Sequence, residues 1–132
     1  MILLFEKQFI EPIQKGIKIH TLREDIHNRW HQGKLIHYKA WSGKGYRSPM
    51  IDIIKPSNVI SKQHVFMSTY QGRLDISIAS KELFGWSERN EFAINEGFVS
   101  WEAFEDYFYD MVDKREDSCY SPKLIHWTDK RY

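Results

Sequence analysis

Cysteine is all but missing from this chain. Cys119 is the single one in 132 residues, so no internal disulfide can form, and a reducing compartment is the expectation. Long apolar runs are missing too: the opening Met-Ile-Leu-Leu-Phe meets Glu6 and Lys7 at once. Neither a membrane span nor a secretory leader is expected, and the chain reads as a cytoplasmic protein with no membrane partner. Ser42-Gly43-Lys44-Gly45 lacks the Gly-x4-Gly-Lys-Ser/Thr spacing of a phosphate-cradling loop and reads as a turn. No Gly-x-Ser-x-Gly elbow is there to carry a serine nucleophile. His27 and His31 stand four apart with His20 and His37 near in sequence, but no Glu follows His27 and no second thiol exists. No metal and no cofactor is therefore expected. Repeats, low-complexity tracts and linkers are also absent, so residues 1–132 read as one domain.

What is present is a core and an uneven distribution of charge. Hydrophobic residues make up 42% and aromatics 15%, which excludes a disordered chain. The net charge of +1 conceals twelve Lys and Arg against five Asp and Glu in residues 1–74, and seven against thirteen in residues 75–132. A basic half suits a polyanion, and attraction between the halves across the fold explains the pattern equally well. Phe5, Phe9, Ile10 and Ile13 fall at helical spacing around Pro12, predicting a short or bent helix. Strands are predicted at 19–24, 35–41, 51–54, 59–60, 65–69, 74–78 and 124–128, with a turn or short helix over 25–33. Helices are predicted over 87–95 and 100–113, each opening on a serine suited to an N-cap. In the second, Trp101, Phe104, Phe108, Met111 and Val112 form one stripe, with Glu102, Glu105, Asp106 and Asp113 behind it. The sum is an α+β domain.

Lys15-Gly16-Ile17-Lys18-Ile19-His20-Thr21-Leu22-Arg23-Glu24-Asp25 concentrates the chemistry. Gly16 can end a helix and feed an extended segment. Period-2 alternation then places Ile19, Thr21 and Arg23 on one face and His20 and Leu22 on the other. Lys18 can meet Thr21 only from a bend before the strand. A threonine hydroxyl needs a base to become a nucleophile, and a lysine serves as one only when desolvation or a neighbouring cation such as Arg23 lowers its pKa. Surface pairing of Lys18 and Arg23 with Glu6, Glu24 or Asp25, with Thr21 a strand former and nothing else, is the plainer alternative.

Gly16-Ile17-Lys18-Ile19-His20-Thr21-Leu22-Arg23 resembles the Gly-x-Lys-x-x-Thr-hydrophobic-Arg signature of ASCH domains, a branch of the PUA-like superfamily. Phe5 to Ile13, Gly33-Lys34-Leu35-Ile36, and Glu96-Gly97-Phe98 with Ser100-Trp101-Glu102-Ala103-Phe104 resemble that family in order and spacing. The resemblance implies a small mixed β-barrel with flanking helices that binds RNA or a modified nucleoside. Its alternative implication is a metal-independent amidohydrolase acting on N4-acetylcytidine-like substrates, with Lys18 as base, Thr21 as nucleophile and Glu96 as an acid whose pKa burial raises. Arg23, His20, Tyr38, Trp41, Lys44 and Arg47 are the candidate substrate-binding residues. Ile17 and Ile19 replace positions often polar in the amidohydrolases. A small-molecule or protein-interaction module is a third reading.

The nucleic-acid reading rests on Arg29, Lys34, Lys39, Lys44 and Arg47 interleaved with Trp30, Tyr38, Trp41 and Tyr46, a mixture that neutralises phosphates and stacks on unpaired bases. If this face binds RNA, affinity measured by fluorescence anisotropy falls steeply between low and physiological salt. Replacing Lys44 and Arg47 together by Glu abolishes it; salt-independent binding would remove the RNA reading.

Overall fold

The computed structural model describes residues 1–43 and 48–132; Lys44, Tyr46 and Arg47, with part of the expected turn, lie outside the described residues. The chain opens with strand β1 (Ile2–Phe5), a 3-10 turn (Lys7–Phe9) and a short helix α1 (Ile10–Gln14). Pro12 sits in the first turn of α1, where a backbone N–H has no helical partner to lose. Its carbonyl accepts from the N–H groups of Ile17 and Lys18 at 2.9 and 3.0 Å. Gly16, at φ +73°, makes that reversal possible without a Cβ penalty. Residues 17–19 stay irregular and β2 begins at His20 (His20–Arg23).

Two sheets follow from the pairing registers. In the first, β3 (Leu35–Trp41) runs parallel to β1 and antiparallel to β4 (Met50–Asp52) and β5 (Ser57–Asn58). The second is antiparallel throughout, in the order β2-β10-β6-β7-β8: β6 is Ser61–Tyr70, β7 Arg73–Ile78, β8 Lys81–Glu82 and β10 Lys123–His126. A short β9 (Cys119–Tyr120) joins β6. The architecture is α+β, with no ladder among the described residues joining the sheets into a ring. β1 and β2 are each the edge of their own sheet, and the cleft described below opens between them.

Of the turn or short helix expected over residues 25–33, the structure has turns: the Asp25 carboxylate accepts from the N–H groups of Arg29 and Trp30 and from Lys62, pinning the segment as a loop. One local expectation needs correction. The first long helix, α2 (Trp86–Asn95), is preceded by Gly85 in extended conformation, so Ser87 lies inside its first turn rather than capping it. The acidic side of α3 (Trp101–Asp113) is not all solvated, because Glu105 accepts from Leu74 N–H and Asp113 from the Thr69 hydroxyl at 2.9 and 2.8 Å. Those two bonds fasten the helix to β7 and β6. Ser100 does cap α3, accepting from Ala103 N–H.

The apolar stripe of α3 meets the second sheet around Phe104, which is fully buried. Rings of Phe92, Phe98, Trp101 and Phe108 stand 4.7–5.4 Å from it by centroid. Removing that ring leaves a cavity with neighbours too interlocked to collapse. Phe104→Ala is expected to lower unfolding free energy by about 3–5 kcal/mol, read from urea melts monitored by circular dichroism.

Candidate functional site

The site is assembled where the C-terminus of α2 meets the bend before β2. Glu96 caps α2, Gly97 follows at φ +103°, and the N–H groups of Gly97 and Phe98 return to the carbonyls of Ile94 and Ala93. That is a Schellman ending, which leaves the carbonyl of Glu96 free. The Lys18 ammonium donates to it, and Ile19 N–H donates to the neighbouring carbonyl of Asn95 at 2.9 Å. A cation at a helix C-terminus also meets the negative end of the helix dipole. A side chain on Gly97 would collide with Phe9 and the Lys18 stem, at 2.7 and 2.9 Å from an ideal Cβ. Glycine is required there for close approach as well as for its backbone angle.

Lys18 is only 1% exposed, which excludes its pairing at the surface with Glu6, Glu24 or Asp25. Its ammonium stands 3.5 Å from the Glu96 carboxylate and over the rings of Phe9 and Phe5, 4.7 and 5.8 Å from their centroids. Burial pushes its pKa down to about 8, with the Arg23 charge pulling the same way and Glu96 opposing. Glu96 shows the converse balance. Burial alone would raise its carboxyl, but the Lys18 charge, the His20 hydrogen bond and the Leu22 N–H bring it below the ordinary carboxylate range. The expectation of a raised Glu96 pKa is therefore corrected: three donors outweigh desolvation, and the group is an anion at neutral pH.

A cleft of about 350 Å³ lies above this pair, lined by Lys18, Thr21, Arg23 and Glu96 together with Phe5, Phe9, Phe98, Tyr107 and others. Thr21 is 4% exposed, and no hydrogen bond to its hydroxyl occurs among the described residues. Arg23 donates to the carbonyl of Leu4 at 2.8 Å and lies over the Phe5 ring at 4.9 Å, so its guanidinium spans the gap between the two edge strands. At the mouth, the Tyr107 hydroxyl donates to Glu6. Burial, that carboxylate bond and the Glu6 charge push the phenol up to about 12.

Other candidates fall elsewhere. His20 is fully buried behind Glu96 and does not line the cleft; alternation along β2 turns it away from Thr21. Tyr38 is a core residue, its hydroxyl bonded to Ser57 and its ring packed on Trp127. Trp41, half-buried on β3, is also outside the cleft lining, and Lys44 and Arg47 lie outside the described residues. Trp30 is buried as well, so neither it nor Tyr38 is available to stack on a base. Among the described residues no three His, Cys, Asp or Glu side chains gather as a set able to hold a metal ion. No helix among them is long and apolar enough to cross a membrane. What sequence reasoning missed is the aromatic wall of Phe9, Phe98 and Tyr107 and the last residue, Tyr132, whose hydroxyl meets His20 at 2.7 Å. Only Phe9 and Phe98 carried a signal, through their places beside the motif segments.

Compared with protein-family models, with curated proteins and with solved structures, the chain matches none.

The Lys18 pKa has a measurable consequence. The unfolded chain keeps that proton up to an ordinary value of about 10.4, whereas the folded chain releases it near 8. Between those values the unfolded state binds more protons, so this group makes stability rise with pH. Glu96 acts at the other end: its lowered pKa supports the fold above the ordinary carboxylate value and loses that support as pH falls through it. Urea melts from pH 8 to 10 are expected to show stability increasing in the wild type, with that slope removed in Lys18→Met.

Proposed function

We propose that this is an ASCH-type domain of PUA-like barrel fold whose cleft binds the base of a modified nucleoside. The observation carrying the reading is the convergence of Lys18, Thr21 and Arg23 from one segment and Glu96 from the end of α2 on one cleft with aromatic walls. At about 350 Å³ the space lies near the low end of the roughly 300–1,000 Å³ usual for small-ligand pockets, which suits one base with part of its sugar. Phe5, Phe9, Phe98 and Tyr107 supply flat apolar surface, while Lys18 and the N–H groups of Arg23 supply donors for carbonyl oxygens and ring nitrogens. Burial of Trp30 and Tyr38 weakens the alternative of a long stacked RNA strand on the basic half. A single base inserted into the cleft, free or carried on RNA, fits better.

The amidohydrolase reading is favoured by a second observation: a lysine whose pKa is brought to about 8 shares the cleft with a threonine hydroxyl that no group among the described residues engages. About one Lys18 in ten is then a free amine at pH 7. In this scheme Lys18 takes the Thr21 proton as the threonine oxygen forms a bond to the acyl carbon. The C–N bond breaks, the ammonium returns that proton to the leaving amine, and water then hydrolyses the threonine ester. Glu96, ionised, stabilises the lysine as it charges. Proton delivery thus falls to Lys18 in place of the acid role first assigned to Glu96.

Incubation with N4-acetylcytidine and chromatographic detection of cytidine separates the two readings. If the cleft is catalytic, Thr21→Ala and Lys18→Ala each lower turnover by about a thousandfold or more, while Thr21→Ala still binds the nucleoside by calorimetry. Binding without turnover in the wild type leaves the binding module alone, and absence of both removes the nucleoside reading.

A further inference from the structure

Behind the cleft floor runs a chain of polar groups that neither reading uses. His20 Nδ1 is 2.7 Å from Glu96 Oε2, His20 Nε2 is 2.7 Å from the Tyr132 hydroxyl, and Asn95 Nδ2 donates to that hydroxyl at 3.1 Å. The protons in this chain have one consistent arrangement. An ionised Glu96 only accepts, so Nδ1 carries the imidazole proton; Nε2 is then an acceptor and the Tyr132 O–H must donate to it. The oxygen of Tyr132 in turn receives the Asn95 amide. Tyr132 is itself clamped. Gln63 donates to its carbonyl at 2.8 Å and accepts from its N–H at 3.0 Å, and the same Gln63 oxygen takes the N–H of His126. The His20 ring stacks on Phe92, 5.3 Å between centroids, which fixes its plane, and the bonds to Glu96 and Tyr132 fix which way round it lies.

We propose that His20 and Tyr132 are positioning residues for the cleft: a neutral, Nδ1-protonated imidazole oriented by the phenol pins the Glu96 carboxylate and keeps it ionised, leaving proton exchange with a bound ligand to Lys18. The charged and titratable groups facing His20 are Glu96 from the end of α2, Lys18 from the bend, His126 from β10 and Tyr132 from the C-terminal segment. Glu96 also faces Arg23. Burial lowers the pKa of both histidines, His126 to about 3, so neither becomes a cation that takes the place of Lys18 near neutral pH. The inference rests on the cleft being the functional site only for its catalytic consequence; the pinning itself is a property of the free protein.

The test is nuclear magnetic resonance on the whole chain without ligand. The ¹⁵N shifts of wild-type His20 are expected to report a neutral ring protonated at Nδ1 from pH 5 to 8; an Nε2-protonated or charged ring in that range overturns the proposal. The ¹³C titration of the Glu96 carboxyl is expected to move up by about one pH unit or more in His20→Leu, since a bond to the charged form is lost. In His20→Asn, whose amide N–H can reach the place of Nδ1, it should stay near the wild-type midpoint. An unchanged midpoint in a folded His20→Leu overturns the proposal, and if that variant does not fold the wild-type ¹⁵N result decides alone. Should N4-acetylcytidine be hydrolysed, the acidic limb of the pH–rate profile reports Lys18 as the base and steepens below the Glu96 midpoint, so that this lower break moves up in His20→Leu while the Lys18 limb is retained. Should it not be, the resonance results still judge the pinning while the hydrolase reading fails separately.

Discussion

The buried ion pair between Lys18 and Glu96 is the constraint around which this molecule is arranged. Two charges withdrawn from water cost several kcal/mol each unless their remaining hydrogen-bonding capacity is met. Here Lys18 has the Glu96 carbonyl and carboxylate and two ring faces. Glu96 has Lys18, His20 and the Leu22 N–H. Every element nearby is placed to supply one of those partners. The Schellman end of α2 frees the carbonyl, the Pro12 reversal delivers Lys18, and the 3-10 turn brings Phe9 against its stem.

The cleft above this pair exists because two sheet edges meet there without pairing. β1 and β2 border separate sheets, and between them lies no backbone ladder but the Arg23 guanidinium on the Leu4 carbonyl. Paired strands would have filled the gap with backbone. Instead the space is walled by Phe5, Phe98 and Tyr107 and floored by charge, so a planar polar ligand would find apolar contact on its faces and donors at its edge.

Charge elsewhere follows a simpler pattern. Among the described residues Lys18–Glu96 and Arg115–Glu24 join the basic and acidic halves of the chain, whereas Lys39–Asp52, Lys62–Asp25, Arg89–Asp75 and Lys130–Glu91 pair within one half. Mutual attraction of the halves thus engages few of the charges. The exposed pairs Arg115–Glu24 and Lys130–Glu91 contribute about 0–1 kcal/mol each. The stability of the fold rests on the aromatic cluster around Phe104 and on the hydrogen-bonded Lys18–Glu96–His20 interior.

Local pattern was enough to mark what depends on neighbours in the chain. Alternation from His20 to Arg23, the apolar stripe of α3, the Ser100 cap, strand β3 at Leu35–Trp41 and the bend that frees Lys18 all follow from side-chain size, period and turn chemistry over a few residues. Alternation also put His20 opposite Thr21, so its absence from the cleft was written in the same rule that paired Thr21 with Arg23. Tertiary structure alone decided the rest, because it depends on distance through space. Glu96 lies 78 residues from Lys18 and Tyr132 lies 112 from His20, and no local period carries such contacts. The sign of the Glu96 pKa shift was decided there too: burial and the number of donors act in opposite directions, and only assembled coordinates tell how many donors arrive.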